Sequence, residues 1–227
     1  MTAKSIRFPS TAKTGEVSGL LMRPDSARAL LVLAHGAGAG MRHRFMEELA
    51  QRLGRLGVAT LRYQFPYMEK GSKRPDSLPT LVATVRAAVR AAAQQAPDLP
   101  LFAGGKSMGG RISALAAAQE PLDAVRGLIF FGFPLHAAKK PSAERAEPLL
   151  KIPLPMLFFQ GTRDALADLS LLKPFCERLG GRAELFIIEG GDHSFHVPKS
   201  SGRFDAEVLG EVAEKVGGWV GTLISKP

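Results

Sequence analysis

The stretch Pro100 to Arg111, PLFAGGKSMGGR, holds two reactive patterns that share one serine. Gly105-Lys106-Ser107 could close a phosphate-cradling loop, whereas Gly105-Lys106-Ser107-Met108-Gly109 has the Gly-x-Ser-x-Gly spacing that seats a nucleophile. A phosphate loop needs a further glycine, with four residues between it and the Gly-Lys-Ser unit, so that its N–H groups can curl around the anion. Pro100 stands at that place and has no N–H to offer. The intervening LFAG is strand-like rather than loop-like. The nucleophile pattern fits better, because a serine on a sharp strand-to-helix turn leaves little room two residues to either side. Gly105 and Gly109 fill both positions.

A serine hydroxyl at its free pKa is a poor nucleophile and needs a base, which in turn needs an orienting acid. In strand-loop folds of this kind the acid follows a later strand and the base follows the last one. PMLFFQGTRD supplies Asp164, and AELFIIEGGDHSF supplies His193. Asp168 competes for the acid role but falls in what should be the next helix, and Asp192 adjoins the histidine itself. His196 is the rival base, yet His193 directly follows the strand and the Gly-Gly turn.

The chemistry further requires two donors for a developing oxyanion. One is the N–H of Met108, after the nucleophile, and the other is the N–H of Ala37 in HGAGAG, a loop that could otherwise be a plain flexible turn. Tyr67, Met68, Phe133 and His136 sit on loops expected at the rim and are candidates for substrate contact, with core packing the alternative for methionine and phenylalanine. His43 reads as a surface residue.

These groups must be delivered by a scaffold, and the hydrophobic pattern supplies one. ALLVLA, VATLRYQF, PLFAGGK, VRGLIFFGF, PMLFFQG and AELFIIEG are short apolar runs of the kind buried on both faces of a parallel sheet. Between them lie helical stretches: RHRFMEELAQRLGRLG places Phe45, Leu49, Leu53 and Leu56 on one stripe, and LVATVRAAVRAAAQQ, MGGRISALAAAQ and SLLKPFCERLG follow. A last helix lies within RFDAEVLGEVAEKVGGWVGTLIS, and EVSGLLMRP near the start reads as an antiparallel edge strand. The alternation predicts an α/β fold, a mostly parallel twisted sheet with helices on both faces. His35, Ser107, Asp164 and His193 each follow a predicted strand, so one sheet edge receives all four. Only about twenty residues separate FFGFPLH from PMLFFQG, too few for a large lid domain, and the pocket is expected to be open.

Composition limits the rest. The chain has 227 residues, the size of a single α/β domain spanning residues 1–227, and its 45% apolar and 22% charged content is that of a globular protein. The start lacks the apolar core of a signal peptide and no run is long enough to span a membrane, so a cytoplasmic location without membrane contact is expected. One cysteine, Cys176, excludes an internal disulfide and reads as a packed, inert thiol; no Cys/His cluster implies a metal, and no cofactor is required. The net charge of +9 is uneven, with 17 of 30 basic residues in residues 1–113. Such a bias can attract nucleic acid, but arginines on the solvated faces of amphipathic helices explain it, and no aromatic residues interleave them, so nucleic acid is disfavoured. The sequence leaves the oligomeric state open.

With these stretches in hand, the chain resembles the small α/β-hydrolases, dienelactone hydrolases in outline, with serine in place of cysteine at the elbow. LAHGAGAGM, YQFPYMEKGSKRPD, GGKSMGGR, FFGFPLH, FFQGTRD and GGDHSF together resemble more closely the hydrolase-like domain of a testis-expressed protein and of a histone acetyltransferase complex subunit. The resemblance implies a Ser-Asp-His triad on Ser107, Asp164 and His193. It names no substrate. The expected activity is that of a serine hydrolase of the carboxylesterase type, acting on small or soluble acyl compounds through an acyl-enzyme on Ser107, and the alternatives are a thioesterase or peptidase, or a non-catalytic interaction module on the same scaffold.

Overall fold

A computed structural model describes residues 1–225 of the chain. Eight strands form one sheet: β1 (Lys4–Thr11), β2 (Gly15–Met22), β3 (Ala29–Ala34), β4 (Val58–Tyr63), β5 (Leu101–Lys106), β6 (Val125–Phe131), β7 (Met156–Gly161) and β8 (Ala183–Ile188). Their spatial order is β1-β2-β4-β3-β5-β6-β7-β8. β2 pairs antiparallel with both β1 and β4, and every pairing from β4 to β8 is parallel. The exchange of β3 and β4 in this order makes a crossing point beside β5, the place where such sheets bind ligands at their carboxyl ends.

The period-two alternation of strand side chains feeds two cores. Leu30, Val32, Ala103, Leu128, Phe130 and Phe158 face one side, against α3 (Leu78–Gln95), α4 (Met108–Gln119) and α5 (Leu169–Leu179). Leu31, Leu33, Phe102, Ile129, Phe131 and Phe159 face the other, against α1 (Arg44–Arg55) and α6 (Asp205–Ile224). The continuous apolar runs in the sequence are therefore strands buried on both faces, and each fully buried large side chain contributes about 1.5–3 kcal/mol. On α1 the stripe of Met46, Leu49 and Leu53 is buried while Arg44 points to Glu48 on the outside.

Two features differ from the sequence reading. The edge strand is β1, not β2, which lies second in the sheet and is covered on both sides. β1 escapes notice because only Phe8 and Ser10 are buried; its polar alternation and Pro9 are what an edge strand tolerates. A single-turn helix, α2 (Pro66–Glu69), and a 3-10 helix over Glu144–Lys151 occupy stretches read as loop. The second of these lies in the short β6–β7 connection, where the described residues form no lid domain.

Candidate active site

β5 ends at Lys106, and α4 begins at Met108, so Ser107 alone makes the turn between them. Its φ of 49° and ψ of −117° lie in a region disfavoured for a residue with a side chain, the backbone cost of turning from strand to helix in one step. The glycines flanking it are required by contact. A Cβ at Gly105 would sit 2.3 Å from the Ala34 carbonyl oxygen, and one at Gly109 would sit 2.5 Å from the same atom. Gly104, not singled out from sequence, is tighter still: its Cβ would lie 1.8 Å from the Ile129 carbonyl oxygen. The Ser107 N–H donates to the Phe131 carbonyl at 3.0 Å, which pins the turn to β6.

Three remote segments meet at that turn. The Ser107 Oγ is 2.8 Å from His193 Nε2, and His193 Nδ1 is 2.7 Å from Asp164 Oδ2. Because Asp164 accepts at Nδ1, the imidazole proton belongs there, and Nε2 is left to accept from the serine hydroxyl. Asp164 also accepts from the Leu166 N–H at 2.8 Å and from the side-chain amide of Gln160. Burial pushes this carboxyl up, yet the His193 hydrogen bond and charge, the Leu166 N–H and nearby Lys106 outweigh burial and hold it below the usual carboxylate range. The arrangement can draw a proton from the Ser107 hydroxyl while an ionised carboxylate fixes and balances the ring.

Rivals to these residues are engaged elsewhere. Asp168 caps α5 by accepting from the Ser170 N–H at 2.8 Å. Asp192 ties its own loop, accepting from the N–H groups of Ser194 at 2.7 Å and His196 at 3.0 Å. His196 is exposed and pairs with Asp205, while His43 accepts from Phe45 N–H at the start of α1. Among the described residues, the N–H groups of Met108 and Ala37 have no protein acceptor, so both candidate oxyanion donors are free.

The rim residues require correction. Phe133 is 1% exposed and packs edge-on against Phe130 and Phe158, a core position. His136 is buried with both ring nitrogens occupied: Nδ1 donates to the Ala137 carbonyl and Nε2 accepts from the Asp168 N–H, both at 2.9 Å, stapling the β6 loop to the Asp164 loop. Tyr67 is also buried, and its hydroxyl accepts from the Gly38 N–H at 3.0 Å, bracing the loop that carries Ala37. Met68 packs its terminal methyl beside Gly40 of the same loop. Phe133 thus packs in the core and Tyr67 and His136 hold loops, while Met68 is half-buried beside the Ala37 loop.

Sequence reading missed two further participants. Gln160 is fully buried on β7 and steadies Asp164. Lys106, the lysine of the discarded phosphate-loop pattern, donates from Nζ to the main-chain carbonyl of His193. Burial pulls its amine down to about 8 against the opposing pull of Asp164 and Asp192. Cys176 is a buried thiol pushed up to about 11 by burial and by Glu177, a form that is neutral and unreactive at physiological pH. A cavity of about 760 Å³ between β8 and α6, lined by Phe186, Lys215 and Trp219 among others, touches none of the residues above. Among the described residues, no three His, Cys, Asp or Glu side chains gather as a metal-ligand set, and no helix is long and apolar enough to cross a membrane.

Comparison with known proteins places the fold. The chain is similar in structure to a dienelactone hydrolase from Anabaena variabilis, with TM-score 0.75 and 19% identity over 98% of this chain and 99% of that one. A serine hydrolase without lid from Xanthomonas campestris matches with TM-score 0.75 and 20% identity over 100% and 98%. Est1E from Butyrivibrio proteoclasticus, solved with ferulic acid bound, matches with TM-score 0.74 and 18% identity over 97% and 100%. At such identities the likeness speaks for the fold. A sequence model of the alpha/beta hydrolase domain matches residues 27–221, most of the chain. With a match over that much of the sequence, the chain belongs to the α/β-hydrolase family.

Proposed function

We propose that the protein is a serine hydrolase of the carboxylesterase type, acting on small or soluble acyl compounds through an acyl-enzyme on Ser107. The observation that carries this reading is the continuous chain of hydrogen bonds from Ser107 Oγ through His193 to Asp164, 2.8 and 2.7 Å long. In the first half-reaction the Ser107 oxygen attacks the acyl carbon as its proton passes to His193 Nε2. Asp164 stabilises the imidazolium that results. The N–H groups of Met108 and Ala37 receive the negative charge on the former carbonyl oxygen, and loss of one such donor typically costs about 10²–10³ in kcat. His193 then gives its proton to the departing alcohol. Water, activated by the same imidazole, attacks the acyl-enzyme, and the proton returns to Ser107 as the acid leaves.

The short β6–β7 connection leaves the serine approachable from solvent, which favours compact, soluble acyl compounds over long chains that need an enclosed apolar tunnel. The ferulic acid held by a structural neighbour is a compound of that size class. A fluorophosphonate probe tests the reading directly. Covalent labelling should fall on Ser107 alone and vanish in Ser107→Ala; well-folded protein that takes up no label would overturn the enzyme and favour a scaffold that only binds. A panel of short-chain p-nitrophenyl esters, acyl thioesters and peptide amides then ranks the leaving groups, with oxygen esters expected to turn over fastest.

A further inference from the structure

Lys106 is the residue immediately before the nucleophile, and the chemistry above does not use it. The alternation of β5 turns its side chain to the same side as Phe102, the α1/α6 face. There its Nζ lies 5.0 Å from the ring centre of Phe195 and 5.8 Å from that of Phe45, within cation–π range of both. Its hydrogen bond reaches across 87 residues of sequence to the His193 carbonyl. Gly132 leaves room for this contact: a Cβ there would sit 2.8 Å from Nζ and 3.3 Å from the His193 carbonyl oxygen. Among the described residues Lys106 has no carboxylate within ion-pair distance. A cation held largely out of water without such a partner is costly, and a methionine or leucine would fill the same space at less cost. The site thus keeps a charge that stability does not ask for.

We propose that Lys106 is a positioning residue: its ammonium, lying over two adjoining aromatic rings, tethers the His193 main chain to the elbow and so fixes the imidazole against the Ser107 hydroxyl. The His193 loop is tied on either side, the Gly191 carbonyl accepting from the Arg163 N–H at 2.8 Å and the Val197 N–H donating to Asp205 at 3.0 Å, but among the described residues the main chain of His193 itself is held by Lys106 alone. Asp192 ties the loop only to itself, and Phe195 holds a φ of 70°, a conformation an aromatic residue keeps only when its surroundings enforce it. Lys106 supplies the link from that loop to the strand bearing the nucleophile, so serine and base move as one body.

The inference rests on the hydrolase reading, and the experiment separates the two. In Lys106→Met, kcat on a short-chain p-nitrophenyl ester, counted per fluorophosphonate-titrated site, should fall by about 10- to 100-fold with KM changed less than about twofold, the signature of a misplaced base rather than lost binding. The labelling rate of Ser107 should fall by the same factor, and the downfield proton resonance of the His193–Asp164 hydrogen bond should broaden or vanish while the melting temperature holds. Phe195→Leu, which keeps the loop buried but removes one ring, should show a smaller loss in the same direction and stands in if Lys106→Met does not fold. Unchanged per-site kcat and an unchanged downfield proton in a folded variant would overturn the tether. If the unmodified protein takes no label at all, the hydrolase reading falls, and the downfield proton, compared between the unmodified protein and Lys106→Met, still decides whether Lys106 orders His193.

Discussion

Two histidines follow strands of this sheet at the same edge, and their fates diverge. His35, after β3, is fully buried; its Nδ1 donates to the Gly36 carbonyl at 2.7 Å and its Nε2 accepts from the Phe65 N–H at 3.2 Å. His193, after β8, is partly open to solvent and stands between two side chains, a hydroxyl and a carboxylate. A ring whose nitrogens are spent on main-chain groups joins loops, and here His35 joins the Ala37 loop to the segment after β4. A ring between a weak acid and an ionised carboxylate can pass a proton. Position in the fold made the two look alike, and only the partners tell them apart.

The comparison breaks most sharply under truncation. His193→Ala should lower kcat by about 10⁴–10⁶, as removal of a triad base does in unrelated serine hydrolases, with a melting temperature close to that of the unmodified chain. His35→Ala should do the reverse. Its loss strands a buried N–H and a buried carbonyl, at about 2–4 kcal/mol in stability, while the folded fraction keeps most of its per-site activity. Thermal melts and active-site titration on both variants measure this, and a large per-site defect in His35→Ala would erase the distinction.

Asp164 and Asp168 offer the same contrast with carboxylates four residues apart. Asp164→Asn retains the shape but loses the charge that sets the imidazole tautomer, and kcat should drop by about 10³–10⁴. Asp168→Ala removes a helix cap, costing about 1 kcal/mol in stability and leaving kcat near its starting value. Steady-state kinetics beside chemical denaturation checks both.

What the sequence made legible follows from what is local. Gly105, Ser107 and Gly109 could be read because the Gly-x-Ser-x-Gly spacing is itself a local signature, even though the atom that demands both glycines, the Ala34 carbonyl oxygen, lies on β3; Asp164 and His193 could be read because strand ends in a parallel sheet share an edge. Gly104 could not, since the clash that demands it depends on which residue of β6 lies beside it. Lys106 and Gln160 act through partners set by tertiary packing, and nothing in their local spacing signals those partners. The rim residues Phe133 and His136 were misplaced for a related reason: following a strand predicts the edge, not the direction of the side chain. β1 went unread because an edge strand with one buried aromatic carries little hydrophobic signal.

The buried histidine also leaves a mark on stability. Burial draws the His35 ring down from its ordinary 6.5 to about 4, outweighing the hydrogen bond to Gly36 that pulls upward, so the ring stays neutral in the fold. The unfolded chain takes up a proton near pH 6.5 that the folded chain refuses until about pH 4. The stability from this group is therefore complete above pH 6.5 and is lost as pH falls toward 4, a change of roughly 3 kcal/mol. Urea denaturation at pH 7.5 and pH 4.5 should show the loss, and His35→Gln, which cannot titrate, should flatten it. An equal slope in that variant would assign the proton uptake to other groups.

The smallest expected effect concerns Tyr67, whose place near the rim suggested substrate contact and whose hydroxyl instead accepts the Gly38 N–H. Tyr67→Phe removes that acceptor but keeps the ring against His35 and Phe65. Gly38 is exposed, so water replaces the lost bond and the stability cost stays at or below about 1 kcal/mol. The loop bearing Ala37 loosens slightly, and kcat/KM should fall by less than about fivefold, to the same degree for acetyl, butyryl and aromatic esters, because an oxyanion donor sees the carbonyl and not the chain behind it. A substrate-contacting tyrosine would behave differently, shifting KM for one acyl group and sparing another. Kinetics of the variant on the three esters therefore decides whether this loop is braced from within or read by the substrate.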